Sequence, residues 1–120
     1  MKPIISKSVY KKLYQLLQRN KFPEGKQLGV ELSKAQIVDD SELKKDIVSL
    51  NSTVEFMEES LQKPIRITIV LPEEADLSKK KVSIFAPISI ALIGFKESYS
   101  FSWLLPSGNK QFKIIKVVND

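Results

Sequence analysis

The hydrophobic periodicity of this chain switches near residue 45, and that change limits the fold more than any composition figure. Before it, apolar residues recur at helical spacing. Val9, Leu13, Leu16 and Leu17 fall on one stripe, while Lys7, Lys11, Lys12, Gln15 and Arg19 lie elsewhere. Ser6 or Ser8 can cap this helix, which is expected to run to about Asn20. Lys21-Phe22-Pro23-Glu24-Gly25-Lys26 reads as a turn, because Pro and Gly interrupt the helix. A second helix is expected from about Gln27 to Ile37, with Leu28, Leu32 and Ala35 on its apolar side. Gly29 weakens it by about 1 kcal/mol relative to alanine. Two amphipathic helices joined by a short loop predict an antiparallel hairpin, with arms of only about 15–20 Å.

Asp39-Asp40-Ser41-Glu42-Leu43-Lys44-Lys45-Asp46 is a polar connector, and beyond it the period is 2. Thr53-Val54-Glu55-Phe56-Met57 alternates weakly, and Ile65, Ile67 and Ile69 alternate with Arg66, Thr68 and Val70 between Pro64 and Pro72. Val82-Ser83-Ile84-Phe85 forms a third strand after Lys79-Lys80-Lys81. Tyr99, Phe101 and Trp103 alternate with Ser98, Ser100 and Ser102, the pattern of a strand with one face buried. Phe112, Ile114 and Lys116-Val117 continue past a Pro106-Ser107-Gly108-Asn109 turn. One short helix interrupts the strands: Pro87 at its first position, Ile88 to Ile93 as its body, and Gly94 as its stop. The fold class is α+β, a short N-terminal antiparallel helical hairpin followed by a small antiparallel sheet with one helix laid on it.

Composition then narrows the chemistry. The chain has 120 residues, no cysteine and no histidine. Disulfides, thiolate metal sites, cysteine nucleophiles, imidazole bases and most zinc sites are therefore excluded. A non-catalytic protein is expected, with no catalytic, cofactor-binding or metal-binding residues. No apolar run approaches the roughly 20 residues of a membrane span. Met1-Lys2-Pro3-Ile4-Ile5-Ser6-Lys7 lacks a signal-peptide core, so a cytoplasmic location is expected. The charge is uneven: residues 1–38 carry eight Lys/Arg against Glu24 and Glu31, and residues 39–120 carry eleven against twelve acids. The front section is thus +6 and the remainder −1. A basic front could seek an acidic partner, nucleic acid included; the plainer reading is a solvated helix face.

Three segments resemble the Gre-type (GreA/GreB) bacterial transcription elongation factors. Leu32-Ser33-Lys34-Ala35-Gln36-Ile37-Val38-Asp39 resembles the segment closing that family's coiled coil. Val82 to Gly94 is similar to its second signature: a strand, a small residue before Pro, and a short helix ending Ala-Leu-Ile-Gly. Leu105-Pro106-Ser107-Gly108 through Phe112-Lys113-Ile114-Ile115-Lys116-Val117 resembles its final hairpin. The resemblance implies an FKBP-like C-terminal domain over residues 45–120, preceded by a truncated coiled coil and connector over residues 1–44. Ala86-Pro87 departs from the Ser-Pro common in the family, and Lys96-Glu97-Ser98 stands where a Gly-Asp turn is usual.

Gre cleavage factors carry an acidic pair at the tip of a long coiled coil, which helps hold a catalytic Mg²⁺ in the polymerase; hard oxygen ligands suit that ion. Here the tip, Phe22, Pro23 and Glu24 between Lys21 and Lys26, offers one carboxylate. The resemblance is therefore to the short-hairpin branch typified by the regulator of nucleoside diphosphate kinase (Rnk). It implies a regulator that binds at the secondary-channel rim of bacterial RNA polymerase and competes with Gre factors without stimulating transcript cleavage. Phe85, Ala86, Pro87, Ile88, Ser89, Pro106 and Ser107 are the implied polymerase-facing residues, and a monomer is expected.

Plainer readings stand beside these. Glu24 is also an ordinary exposed turn residue, and Asp39-Asp40 follows the second helix and so belongs to the junction. Phe85 to Ser89 is also simply a strand end and a helix start, and Pro106-Ser107 simply a turn. The Tyr99/Phe101/Trp103 stripe could stack bases, but serines occupy the opposite face, so the stripe is read as core. Lys79-Lys80-Lys81 reads as a solvated turn guarding a sheet edge. Two alternative functions remain: a nucleic-acid-binding module using basic residues 1–38, and a peptidyl-prolyl isomerase-like domain suggested only by the implied fold.

Overall fold

In the computed structural model, which describes residues 2–19, 23–105 and 107–119, the helical and period-2 halves share one hydrophobic core. The order is β1 (Ile4–Ser6), α1 (Lys7–Arg19), α2 (Pro23–Lys34), β2 (Gln36–Val38), β3 (Thr53–Glu58), β4 (Lys63–Val70), β5 (Lys81–Ser83), α3 (Pro87–Leu92), β6 (Ser100–Leu105) and β7 (Gly108–Val118).

The α1 stripe forms as its spacing predicts: Leu13 is fully buried, and Val9, Leu16 and Leu17 pack beside it. Ser6 is the cap from within, its Oγ accepting from Val9 N at 3.4 Å. The second helix differs from expectation at both ends. It starts at Pro23, because a proline at a helix start loses a donor that has no partner there. It ends at Lys34, because Gln36–Val38 leaves the helix to pair in parallel with Ile4–Ser6. The two helices are thus closed at their base by a two-stranded ribbon.

The main sheet has the order β5-β4-β3-β7-β6. β3–β4, β3–β7 and β6–β7 are antiparallel, as expected, with a register shift in β3 between Glu55 and Phe56. The expectation of a wholly antiparallel sheet is corrected at one edge, where β5 runs parallel to β4. The crossover that permits this is two 3₁₀ turns, Pro72–Glu74 and Leu77–Lys79; Asp76 caps the second by accepting from Ser78 N at 3.1 Å. Val54, Phe56, Ile69 and Ile114 from the sheet meet Ile90 and Leu92 from α3 and Ile93 just after it, and Ile5, Leu13, Leu28 and Leu32 complete the same cluster.

The segment between the ribbon and β3 is held by its far neighbour in sequence. Asn119 Nδ2 donates to the carbonyls of Lys45 and Ile47, both at 2.8 Å, and its Oδ1 accepts from the buried Ser52 hydroxyl. Ser52 Oγ also accepts from Ser49 N at 2.7 Å.

Candidate partner-binding site

β5 delivers the chain to α3 through a tight turn. Ser83 Oγ accepts from Phe85 N at 3.1 Å, and Ser83 O accepts from Ala86 N at 2.9 Å. Ala86 is extended (φ −64°, ψ 141°), and Pro87 opens the helix. Within this segment Phe85 and Ser89 are buried, Ala86 and Ile88 are half-buried, and Pro87 is exposed. Ser89 Oγ is fully enclosed and has no hydrogen-bond partner among the described residues. Ser107 is exposed in the turn before β7, while Pro106 lies outside the described residues. At the tip, Pro23 and Glu24 form the first turn of α2, and Phe22 lies outside the described residues.

Pro87 does not stand alone. It lines a cavity of about 310 Å³ between α2, α3 and β6, together with Gln27 and Glu31 of α2 and Trp103 of β6. Phe95, Tyr99 and Phe101 form the aromatic wall. Phe95 and Tyr99 stack at 4.4 Å and Tyr99 and Phe101 at 6.2 Å between centroids. Trp103 meets Phe112 edge-on at 5.5 Å. The stripe is half-buried and its alternate serines are exposed, in agreement with the core reading. Sequence reasoning missed the cavity because Glu31 and Trp103 lie far apart in the chain, and only the helix–sheet packing brings them together.

A larger groove of about 540 Å³ carries mixed charge, Asp46 and Glu97 against Lys96 and Lys113. There Glu97 is already engaged, accepting from Val117 N at 2.8 Å.

The acidic pair at the junction holds the foot of α1. Lys7 Nζ meets Asp39 Oδ1 at 2.7 Å, and Asp40 Oδ1 accepts from Ser8 N at 3.1 Å. The Lys7 hydrogen bond, with support from Glu42, holds Asp39 below the usual carboxylate range, and the same bond raises Lys7. The hydroxyl and backbone N–H of Ser8 lower Asp40. A carboxylate at a helix start answers orphan N–H groups and the positive end of the helix dipole. These residues are a junction, as their position after the second helix predicts. α1 itself contains no acidic residue, and Lys11, Lys12 and Arg19 are exposed along it.

Residues 43–119, which include β3 to β7 and α3, match the family described as transcription elongation factor, GreA/GreB, C-term. The chain belongs to the GreA/GreB family. A transcription elongation factor GreA from Pelobacter propionicus is 36% identical over 101 residues, 82% of this chain and 64% of that relative. One from Rhodopseudomonas palustris is 38% identical over 91 residues, 76% of this chain and 58% of that relative. The chain thus spans less than two thirds of the length of these curated family members. A solved prokaryotic transcription elongation factor GreA/GreB from Nitrosomonas europaea superimposes with a TM-score of 0.82 at 34% identity, covering 99% of both chains. The GreA factor homolog 1 (Gfh1) of Thermus thermophilus shares the fold, with a TM-score of 0.51 at 19% identity.

Proposed function

We propose that this chain is a transcription elongation regulator that acts on bacterial RNA polymerase in the cytoplasm. It docks at the secondary-channel rim and competes with Gre factors without stimulating transcript cleavage. In this reading it works as a monomer of the short-hairpin, Rnk-like kind, and its mechanism is occupancy, with no bond made or broken by its own residues. Residues 1–44 are the stub arm, and residues 45–120 the FKBP-like docking domain.

Membership in the GreA/GreB family supports the polymerase partner. The observation that carries the occupancy mechanism is the β1–β2 ribbon. Because it closes the base of the two helices, the arm between its strands is limited to helices of 13 and 12 residues. At 1.5 Å per residue each reaches about 20 Å. Glu24 is the only acidic residue between Arg19 and Val30, so the tip brings one carboxylate where Mg²⁺ chemistry needs hard ligands in number. Pro87 and Ile88, with Ser107 in the turn before β7, are the surface assigned to the polymerase.

The test is binding to purified bacterial core polymerase with a cleavage-competent Gre factor as competitor. Saturable binding that the Gre factor displaces, with no transcript cleavage by this protein, is the expected result. Pro87→Asp and Ile88→Asp should each weaken it at least tenfold in a folded protein, and unchanged binding in both would refute the assigned surface. Absence of binding at tens of micromolar would refute the partner. The exposed, acid-free basic face of α1 favours a second reading, direct nucleic-acid binding, which predicts affinity for DNA or RNA that falls steeply with salt.

A further inference from the structure

The cavity between α2, α3 and β6 has a chemistry that family membership does not explain. Its wall is aromatic, and among the described residues Glu31 is its one charged lining residue. Gln27 and Glu31 are four residues apart on α2, so both side chains lie on one helix face and enter the same space. The Glu31 side chain is 27% exposed, and its ion pair with Lys34 is long, 3.9 Å, with the lysine largely in solvent. Such an exposed pair is weak and leaves the carboxylate able to take a better donor.

We infer that this cavity is a recognition pocket for an arginine side chain presented by a partner polypeptide. Phe95, Tyr99 and Phe101 stack on one another, so the wall shelters the methylene stem of a long side chain, while the Glu31 carboxylate accepts the hydrogen bonds of its cationic head. Arginine meets both demands. Its planar guanidinium pairs bidentately with a carboxylate and loses hydration more readily than an ammonium. The volume, about 310 Å³, sits at the low end of the roughly 300–1,000 Å³ typical of small-ligand sites and suits one long side chain. The inference goes beyond the polymerase reading and does not depend on it.

Trp103 lines the pocket and is the only tryptophan in the chain, so its fluorescence reports occupancy. The full chain is titrated with a capped Gly-Arg-Gly peptide, the matching citrulline peptide, which is near-isosteric but neutral, and the lysine peptide. A saturable change with arginine, at least tenfold weaker with citrulline and intermediate with lysine, is expected. Glu31→Gln should bring the arginine peptide down to the citrulline level. Gln27→Glu, which adds a second carboxylate on the same face, should strengthen arginine binding several-fold and keeps the test informative if Glu31→Gln fails to fold. Equal affinity for arginine and citrulline, arginine binding that Glu31→Gln leaves intact in a folded protein, or no spectral change with any peptide would each overturn the assignment.

Discussion

Gly94 lies so close to Pro3 that a β-carbon on it would stand 2.5 Å from Pro3 Cβ and 2.9 Å from Ile4 N. The same glycine accepts from Ile4 N and donates to Val48 O, both at 2.8 Å, so it joins the first strand to the start of the sheet domain. Its φ of +87° adds a second reason for glycine, since an L side chain is strained there. Gly94→Ala should therefore destabilise the protein by more than about 1 kcal/mol, read as a lower midpoint in urea with an unchanged slope.

Gly29 makes the opposite case. It lies inside α2, and a β-carbon there would meet Leu17 Cδ1 at 3.9 Å, an ordinary contact. Gly29→Ala should stabilise the protein by about 0.5–1 kcal/mol through helix propensity alone, visible as a rise in melting temperature.

Leu28 is fully buried and belongs to the same cluster as Val54, Phe112 and Ile114 of the sheet. Leu28→Ala should cost about 2–5 kcal/mol. Because the core is shared, Trp103 fluorescence in β6 should report the loss as fully as helical circular dichroism does. A sheet that melts unchanged would contradict a common core.

Asn119→Ala removes two donors to the 45–47 backbone and the partner of buried Ser52. A loss of about 1–3 kcal/mol is expected, together with faster amide exchange at Ser49 and Ser52.

The foot of α1 predicts two pH limits. Asp39 and Asp40 are lowered in the folded protein, so their contribution is present above the ordinary carboxylate range near pH ~3.9 and is lost as pH falls through the folded values. Lys7 is raised, so its contribution is complete below about pH 10.4 and is lost as pH rises through the folded value. All three groups are exposed, so both limbs are shallow and weaken with salt. Lys7→Gln should remove its part of the alkaline limb and part of the acid limb in thermal melts, leaving the contribution of Asp76, which Ser78 lowers.

How much of this was legible in the sequence follows from the range of each signal. The α1 stripe, the Tyr99/Phe101/Trp103 alternation, Pro87 as a helix start and Gly94 as its stop are local patterns, and each appears where its spacing places it. The three-residue strands β1 and β2 are too short to show a period, and β2 carried an apolar residue, Ile37, that reads equally well as a helix end. The parallel edge strand β5 depended on a crossover made of 3₁₀ turns, which have no hydrophobic period at all. The role of Gly94 was half legible: the chain stop was visible, whereas the approach of Pro3 exists only after folding. The cavity was illegible for the same reason, since Glu31 and Trp103 share it only through tertiary packing.

An arm that works by occupancy should also be insensitive to its one tip carboxylate. Glu24→Gln should leave competition with a Gre factor within about twofold of the parent protein in the polymerase assay. A larger loss would give Glu24 an effector role.

The joint between Ile4 and Gly94 bears on the order of assembly. A ribosome releases β1, α1, α2 and β2 first, yet the carbonyl that answers Ile4 N and the surface that seats Pro3 are made only when Gly94 emerges. Contacts between segments so distant in sequence form slowly, because a long loop must close before they contribute. The helical arm is therefore set to dock after β3, β4 and α3 have condensed. Until then Leu13 and Leu28 lack the neighbours from the sheet with which they share the folded core.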